Sequence, residues 1–334
     1  MTFVSIGDMA QTLVLRRRSV AMTADLTRLT EELSTGRVRD TARHLGGDTR
    51  GLASVEHALV MLDAYQLAAR DSGRMATAMQ TALGHVQEGA QALSQALYVA
   101  ASGPDGPGLV AAGDAARAAF ADMVGALNTR LGGRSLFSGA ATDTAALAPA
   151  EQMLTALEAE IAGLSDPAAI RQAVQDWFAP GGGFDGDGYR GDGGSAGGGR
   201  IAPGVELDLN LRADDPALRA TLAATALAAL SSEGTAPSPS GATATLLEQA
   251  ATDLLAAQTP LTALRSRLGE AEARIDASQS RNAAERTSLL QSREAMIGKD
   301  PYETASELEE IRLRLDALYR VTARNASLSL AEYL

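Results

Sequence analysis

Three histidines, His44, His57 and His85, are the first residues to weigh for chemistry, because an imidazole can act as general base or metal ligand. Their spacing brings no two of them onto one helix face as a metal pair, so polar or capping roles suit them better. Asp185-Gly186-Asp187-Gly188 begins like a calcium loop but lacks the later ligands and the closing glutamate of an EF-hand, and it reads as an acidic turn. The glycine-rich run Gly191 to Gly199 has no Lys-Ser/Thr ending to make a phosphate loop. Ser138, in Phe137-Ser138-Gly139, lacks the surroundings of a nucleophile elbow and reads as a turn residue. With no cysteine in the chain, disulfides, thiolate metal sites and thiol nucleophiles are excluded. The reading is a non-enzymatic chain: no catalytic, cofactor-binding or metal-binding residue is assigned, and no cofactor is expected.

The residues that do form a pattern are apolar, and their chemistry is association. From Asp300 to Leu334 the chain reads as one amphipathic helix with a seam at Leu308, Ile311, Leu315 and Leu318, continued by Leu328, Leu330 and Leu334. Chain ends are usually frayed and polar, so this seam requires a partner surface. Asp300 is placed to be the N-cap, Pro301 stands at the first helical position, and Glu303 falls at the capping-box position. Glu310 and Arg314, and Asp316 and Arg320, are acid-before-base pairs four residues apart on the solvated face. A matching seam lies near the N-terminus at Leu15, Ser19, Met22, Leu26, Leu29 and Leu33, with alternating steps of four and three as in a coiled coil. Gly36 is a natural left-handed terminator for it, and Arg37 and Arg39 sit at the negative end of the helix dipole.

Composition narrows the partner. Only 4% of the 334 residues are aromatic, so packing must come from Ala, Leu, Val and Met, which suits long slender helices. Forty-one acidic against 29 basic residues give a formal charge of −12, which argues against nucleic acid or an anionic membrane. Arg16-Arg17-Arg18 is the one basic run, and it lies mid-helix as a solvated face or an anionic-partner contact. The apolar stretch at Leu13 to Leu15 is too short for a signal peptide and is followed, not preceded, by arginines. No run reaches membrane-spanning length. The expectation is a route out of the cytoplasm, if any, without a cleaved signal, and no membrane insertion.

Helical patterns dominate the rest: about 52–101, with Leu52, Val55, Leu59, Leu62, Leu83, Leu93 and Leu97 as core positions, then Leu109 to Leu131. Shorter helices are expected at Glu151 to Leu164, at Ala168 to Phe178 behind Asp166-Pro167, and behind Asp215-Pro216 to Leu230. Gly181 to Gly199 is more than half glycine and is predicted to exclude helix. Val205, Leu207, Leu209 and Leu211 alternate with polar residues as in a half-buried strand, with Tyr189-Arg190 as a second short strand. Ser231 to Thr243 reads as a loop, and Thr259-Pro260 predicts a fresh helix to Ile297. The predicted fold is mainly α: long antiparallel helical arms from both chain ends, coiled-coil-like, with a small β-containing, Gly-rich inserted middle domain. The boundaries read as 1–47 for the N-terminal arm, 48–140 and 243–297 for the two parts of a helical rod, 141–242 for the middle domain and 298–334 for the C-terminal arm.

Several of these segments resemble one family. Leu33-Ser34-Thr35-Gly36-Arg37, Arg267-Leu268-Gly269 with Arg274 and Asn282, Asp300 through Ala305, and Ser327-Leu328-Ser329-Leu330 to Tyr333-Leu334 are similar to the ends of bacterial flagellin-type proteins. Asn128, Gly133-Arg134-Ser135-Leu136-Phe137-Ser138-Gly139, and Tyr189-Arg190-Gly191-Asp192-Gly193 followed by Arg200-Ile201 and Gly204 resemble the family's hook–filament junction branch more than filament flagellin. Leu45-Gly46-Gly47-Asp48 and the long glycine tract depart from the family pattern. The resemblance implies a structural subunit of the extracellular flagellum, packing its terminal helices against copies of itself in a ring, other hook-associated subunits and flagellin-type subunits. It also implies type III export and a chaperone on the C-terminal helix. Filament flagellin is the nearest alternative, and a cytoplasmic coiled-coil adaptor is the alternative of another class.

Overall fold

The computed structural model describes residues 6–103, 107–195, 199–231 and 241–331, with the side chains of 6–9 and 325–331 set aside. In chain order the elements are α1 (Ile6–Thr35), α2 (Thr41–His44), α3 (Arg50–Ala101), α4 (Pro107–Leu127), β1 (Arg130–Leu131), β2 (Arg134–Ser135), α5 (Ala150–Glu160), α6 (Pro167–Phe178), β3 (Gly199–Ala202), β4 (Val205–Leu207), α7 (Pro216–Ala229), α8 (Ala242–Ile297) and α9 (Pro301–Ala331). The fold is mainly α, as the periodicities require, with two two-stranded antiparallel sheets among the described residues. The chain divides into two compact units, 1–63 with 284–334, and 64–283.

In the unit formed by 64–283, α7 is the innermost element. Every residue of it except Pro216 and Ala220 is buried, the mark of a helix packed on all sides. Its alanines let neighbouring helices close in, and α4 and α6 both pack on it. Thr221 and Thr225 satisfy their buried hydroxyls on carbonyls one turn back, at 2.8 Å each. Asp215 caps α7 through the Ala217 amide, and Asp166 caps α6 through the Ala169 amide, each followed by proline at the first helical position. Polar contacts set α3 against α8: Ser94 Oγ donates to the Ala251 carbonyl at 3.0 Å, and Arg265 Nη1 to Gln87 Oε1 at 2.6 Å.

Four local expectations are corrected. The helix at Leu109 ends at Leu127 rather than Leu131, and a β1–β2 hairpin follows, with Gly132 and Gly133 at φ 59° and 82°. Two successive positive φ values make that two-residue turn possible. The Thr259-Pro260 pair opens no helix: α8 runs through Pro260 without a break. Leu254, Ala257, Leu261 and Leu264 are buried on either side of it, so packing carries the helix past the missing hydrogen bond. The predicted strand at 205–212 is confined to Val205–Leu207, because its partner is the short β3 and not Tyr189-Arg190. Tyr189 instead bridges to Leu147. Within the glycine tract, Phe184–Gly188 forms a π-helical turn, nucleated by packing of the Phe184 ring among Trp177 and Phe178 at centroid distances of 5.9 and 5.1 Å.

Candidate assembly interface

In the unit of 1–63 and 284–334, α1 packs on α9. Local chemistry fixes where the pair begins. Gly36, at φ 67°, terminates α1 in the left-handed conformation that L side chains avoid. Asp300 starts α9 by accepting from the Tyr302 and Glu303 amides at 2.8 and 3.2 Å. Between these two ends the backbones pair: Arg37 and Gly298 form an antiparallel bridge, the Val38 amide donates to the Ile297 carbonyl and the Lys299 amide to the Gly36 carbonyl, both at 2.9 Å. Val38, Leu52 and Ile297 bury a small apolar cluster over this joint. Glu32 is buried at 3% exposure, and its two oxygens accept from Arg28 Nη1 and the Arg39 amide, each at 3.1 Å. A buried carboxylate with both oxygens satisfied is tolerated, and here it ties the turn after α1 back onto the helix.

The two seams share this helix pair. Leu29 and Thr304 are fully buried and Leu308 is 5% exposed. Leu15, Met22, Leu26, Leu33, Ile311, Leu315 and Leu318 are only half-buried. Leu328 and Leu330 lie within the span of α9 with their side chains outside the described set, and Leu334 lies outside the described residues. The Glu310–Arg314 pair forms, and Asp316 meets Arg320 at 2.9 Å.

Apolar residues outside the seam pattern are exposed as well. Val20 on α1 and Leu313 on α9 are 65% and 70% exposed, and Leu13, Val14, Tyr319 and Val321 are also exposed. These residues fall between seam positions, and a search for one heptad stripe passes over them. The signal available was their number: a helix with apolar residues on more than one face is suited to more than one neighbour. Arg16, Arg17 and Arg18 are exposed on α1. The three histidines are exposed as well, and none lines the helix-pair seam.

In 64–283 the segments that carried the family resemblance meet. The Asp192 amide donates to the Ser138 carbonyl at 2.9 Å, the Ala140 amide to Gly194 at 3.1 Å and the Arg190 amide to Ala146 at 2.9 Å. A Cβ on Gly139 would fall 2.1 Å from the Asp192 carbonyl oxygen, so glycine is required by the closeness of the two backbones. Asn128 donates to the Leu147 carbonyl at 3.1 Å and accepts from the Leu147 amide at 2.8 Å. Asn282, 1% exposed, donates to the Ile201 carbonyl at 2.8 Å. These residues are structural: each satisfies a backbone group that the core would otherwise leave unpaired.

Residues 6–142 match the family model of the bacterial flagellin N-terminal helical region. Over that stretch the chain is similar to flagellin-type proteins. The solved structure of a candidate flagellar hook-associated protein from Vibrio parahaemolyticus is similar at 16% identity, covering 73% of this chain and 95% of that one with a TM-score of 0.51. At that identity the likeness speaks for the fold. No curated protein matches the chain. Both matches are to flagellar proteins, and no observation favours a cytoplasmic coiled-coil adaptor. Among the described residues no helix is long and apolar enough to cross a membrane.

Proposed function

We propose that this chain is a junction subunit between hook and filament, in the role of hook-associated protein 3. The observation that carries the reading is the joining of Ser138-Gly139 to Gly191-Asp192 by backbone hydrogen bonds. Those are the segments that resemble the junction branch, and here they form one structural unit. The fold shared with a candidate hook-associated protein supports the same reading. The working parts are interfaces, not a catalytic site. Leu15, Met22, Leu26, Leu29, Leu33, Leu308, Ile311, Leu315, Leu318, Leu328, Leu330 and Leu334 form the assembly surface on the two arms, between ring copies, other hook-associated subunits and flagellin-type subunits.

Half-burial of seven seam residues supports this assignment. A two-helix pair leaves their outer sides wet, and each leucine or isoleucine that moves to full burial gains a share of about 1.5–3 kcal/mol. The arms therefore reach full order when neighbours arrive, and before export a chaperone covers the C-terminal helix. In this reading the protein resides in the extracellular flagellum. Immunolabelling of intact cells tests the role: a short band beside the hook is expected, and deletion of the gene should release flagellin monomer into the medium. Label along the whole filament would instead assign the chain as filament flagellin. Chaperone binding that survives removal of 300–334 would place that contact elsewhere.

A further inference from the structure

Within 64–283 lies a cleft of about 920 Å³ that the assembly surface does not use. That size falls in the range of small-molecule sites, about 300–1,000 Å³. Its walls are α6 and α8, through Val174 and Phe178 on one side and Ala256 and Pro260 on the other, and Ala220 and Ala224 of α7 form the floor. The small side chains of Ala220 and Ala224 leave room beside the apolar Val174, Phe178 and Pro260.

The charged residues around the cleft are already paired. Arg171 donates to both oxygens of Asp253 at 2.8 and 2.6 Å, and Arg212 to both oxygens of Asp214 at 2.7 and 3.0 Å. Arg219 is tied to Asp185 and donates to the Asp214 and Phe178 carbonyls at 2.8 and 3.1 Å. Three cations stand against three carboxylates, so the lining offers no net charge to an ion. One carbonyl on the wall is left without the donor that a helix ordinarily supplies. Pro260 lies inside α8 and has no N–H, so the carbonyl of Ala256, four residues back, lacks its helical donor. Ala256 and Pro260 both line the cleft.

We propose that this cleft binds an uncharged, flat, mainly apolar molecule bearing one hydrogen-bond donor, seated on the alanine floor with its donor on the Ala256 carbonyl. The inference is independent of the junction role. Fluorescence titration of the full chain with 2-naphthol tests it, with 2-methoxynaphthalene as the same ring system without a donor. Saturable one-to-one binding of 2-naphthol is expected. Ala220→Phe fills the floor from an exposed position, and should weaken binding at least tenfold without lowering the melting temperature. Pro260→Ala returns a donor to the Ala256 carbonyl, so it should weaken 2-naphthol about fivefold, the worth of one net hydrogen bond, and leave 2-methoxynaphthalene unchanged. Absence of saturable binding at millimolar 2-naphthol, undiminished affinity in Ala220→Phe, or equal weakening of both probes by Pro260→Ala would overturn the proposal.

Discussion

Replacing Asn128 by alanine should destabilise the unit of 64–283 far more than loss of an ordinary half-buried side chain. Asn128 makes two hydrogen bonds to the backbone of Leu147, at 3.1 and 2.8 Å, and Leu147 is 1% exposed. Alanine leaves a buried amide and a buried carbonyl without partners, at about 1–3 kcal/mol each. The amide side chain's own desolvation is recovered, so the lower part of that sum applies, about 2–4 kcal/mol. For a unit of this size each kcal/mol lowers the melting temperature by about 2–4 °C, so a fall of roughly 4–16 °C is expected. Trp177 is the one tryptophan of the chain and lies in this unit, 6% exposed, so its fluorescence follows this transition and not that of the arms. Asn128→Leu keeps the volume without either polar group and should fall about as far. If leucine restores wild-type stability, space filling and not hydrogen bonding is the role of Asn128, and the reasoning fails.

Val20→Asp and Leu313→Asp change side chains that are 65% and 70% exposed; free-chain melting should move by less than about 0.5 kcal/mol, while sedimentation of assembled material and swimming should both decline. Asp300→Ala removes the acceptor for the Tyr302 and Glu303 amides; a cost near 1 kcal/mol is expected, read as roughly fivefold to tenfold faster hydrogen exchange at the start of α9, and unchanged exchange would show that the cap is not formed in solution. Asp185 is held below the ordinary carboxylate range, first by the Gly181 amide, against the opposing effect of burial, and then by Arg219. Its contribution is therefore present above the unfolded value of about 3.9 and is lost as pH falls through the lower folded value. Asp185→Asn should lower the urea midpoint at pH 7 and narrow the difference between pH 7 and pH 3; an unaltered difference would refute the assignment.

What the sequence disclosed best was chemistry complete within a few residues. Asp166-Pro167, Asp215-Pro216 and Asp300-Pro301 each joined a capping carboxylate to a residue already fixed in φ, and each opens a helix. The same logic failed at Thr259-Pro260, because the decision there belongs to the buried face of α8, which involves residues distant in sequence. Alternation at 205–212 correctly marked a strand but overestimated it: period two describes which side chains face inward, and strand length depends on where the partner ends. Steps of three and four along α1 and α9 include Leu29 and Leu308, which the helix pair buries. Val20 and Leu313 were not legible from such steps, because exposed residues outside the helix-pair contact have no reason to follow its period.

The backbone bridge between Arg37 and Gly298 gives both arms a common origin. From it α1 and α9 run over 30 and 31 described residues, about 45 Å each at 1.5 Å per residue, so positions along both are measured from one joint. Adding one residue to either arm would turn everything beyond it by about 100° and shift it out of step with its mate. Seven residues would return the face to within about 20°, yet slide everything beyond them by about 10 Å along the other helix. Lengthening is therefore tolerated only when both arms grow together, whereas a change in the number of residues between α7 and α8 disturbs neither. Variation in length between chains of this kind should accumulate in the middle of the sequence and be nearly absent from its ends.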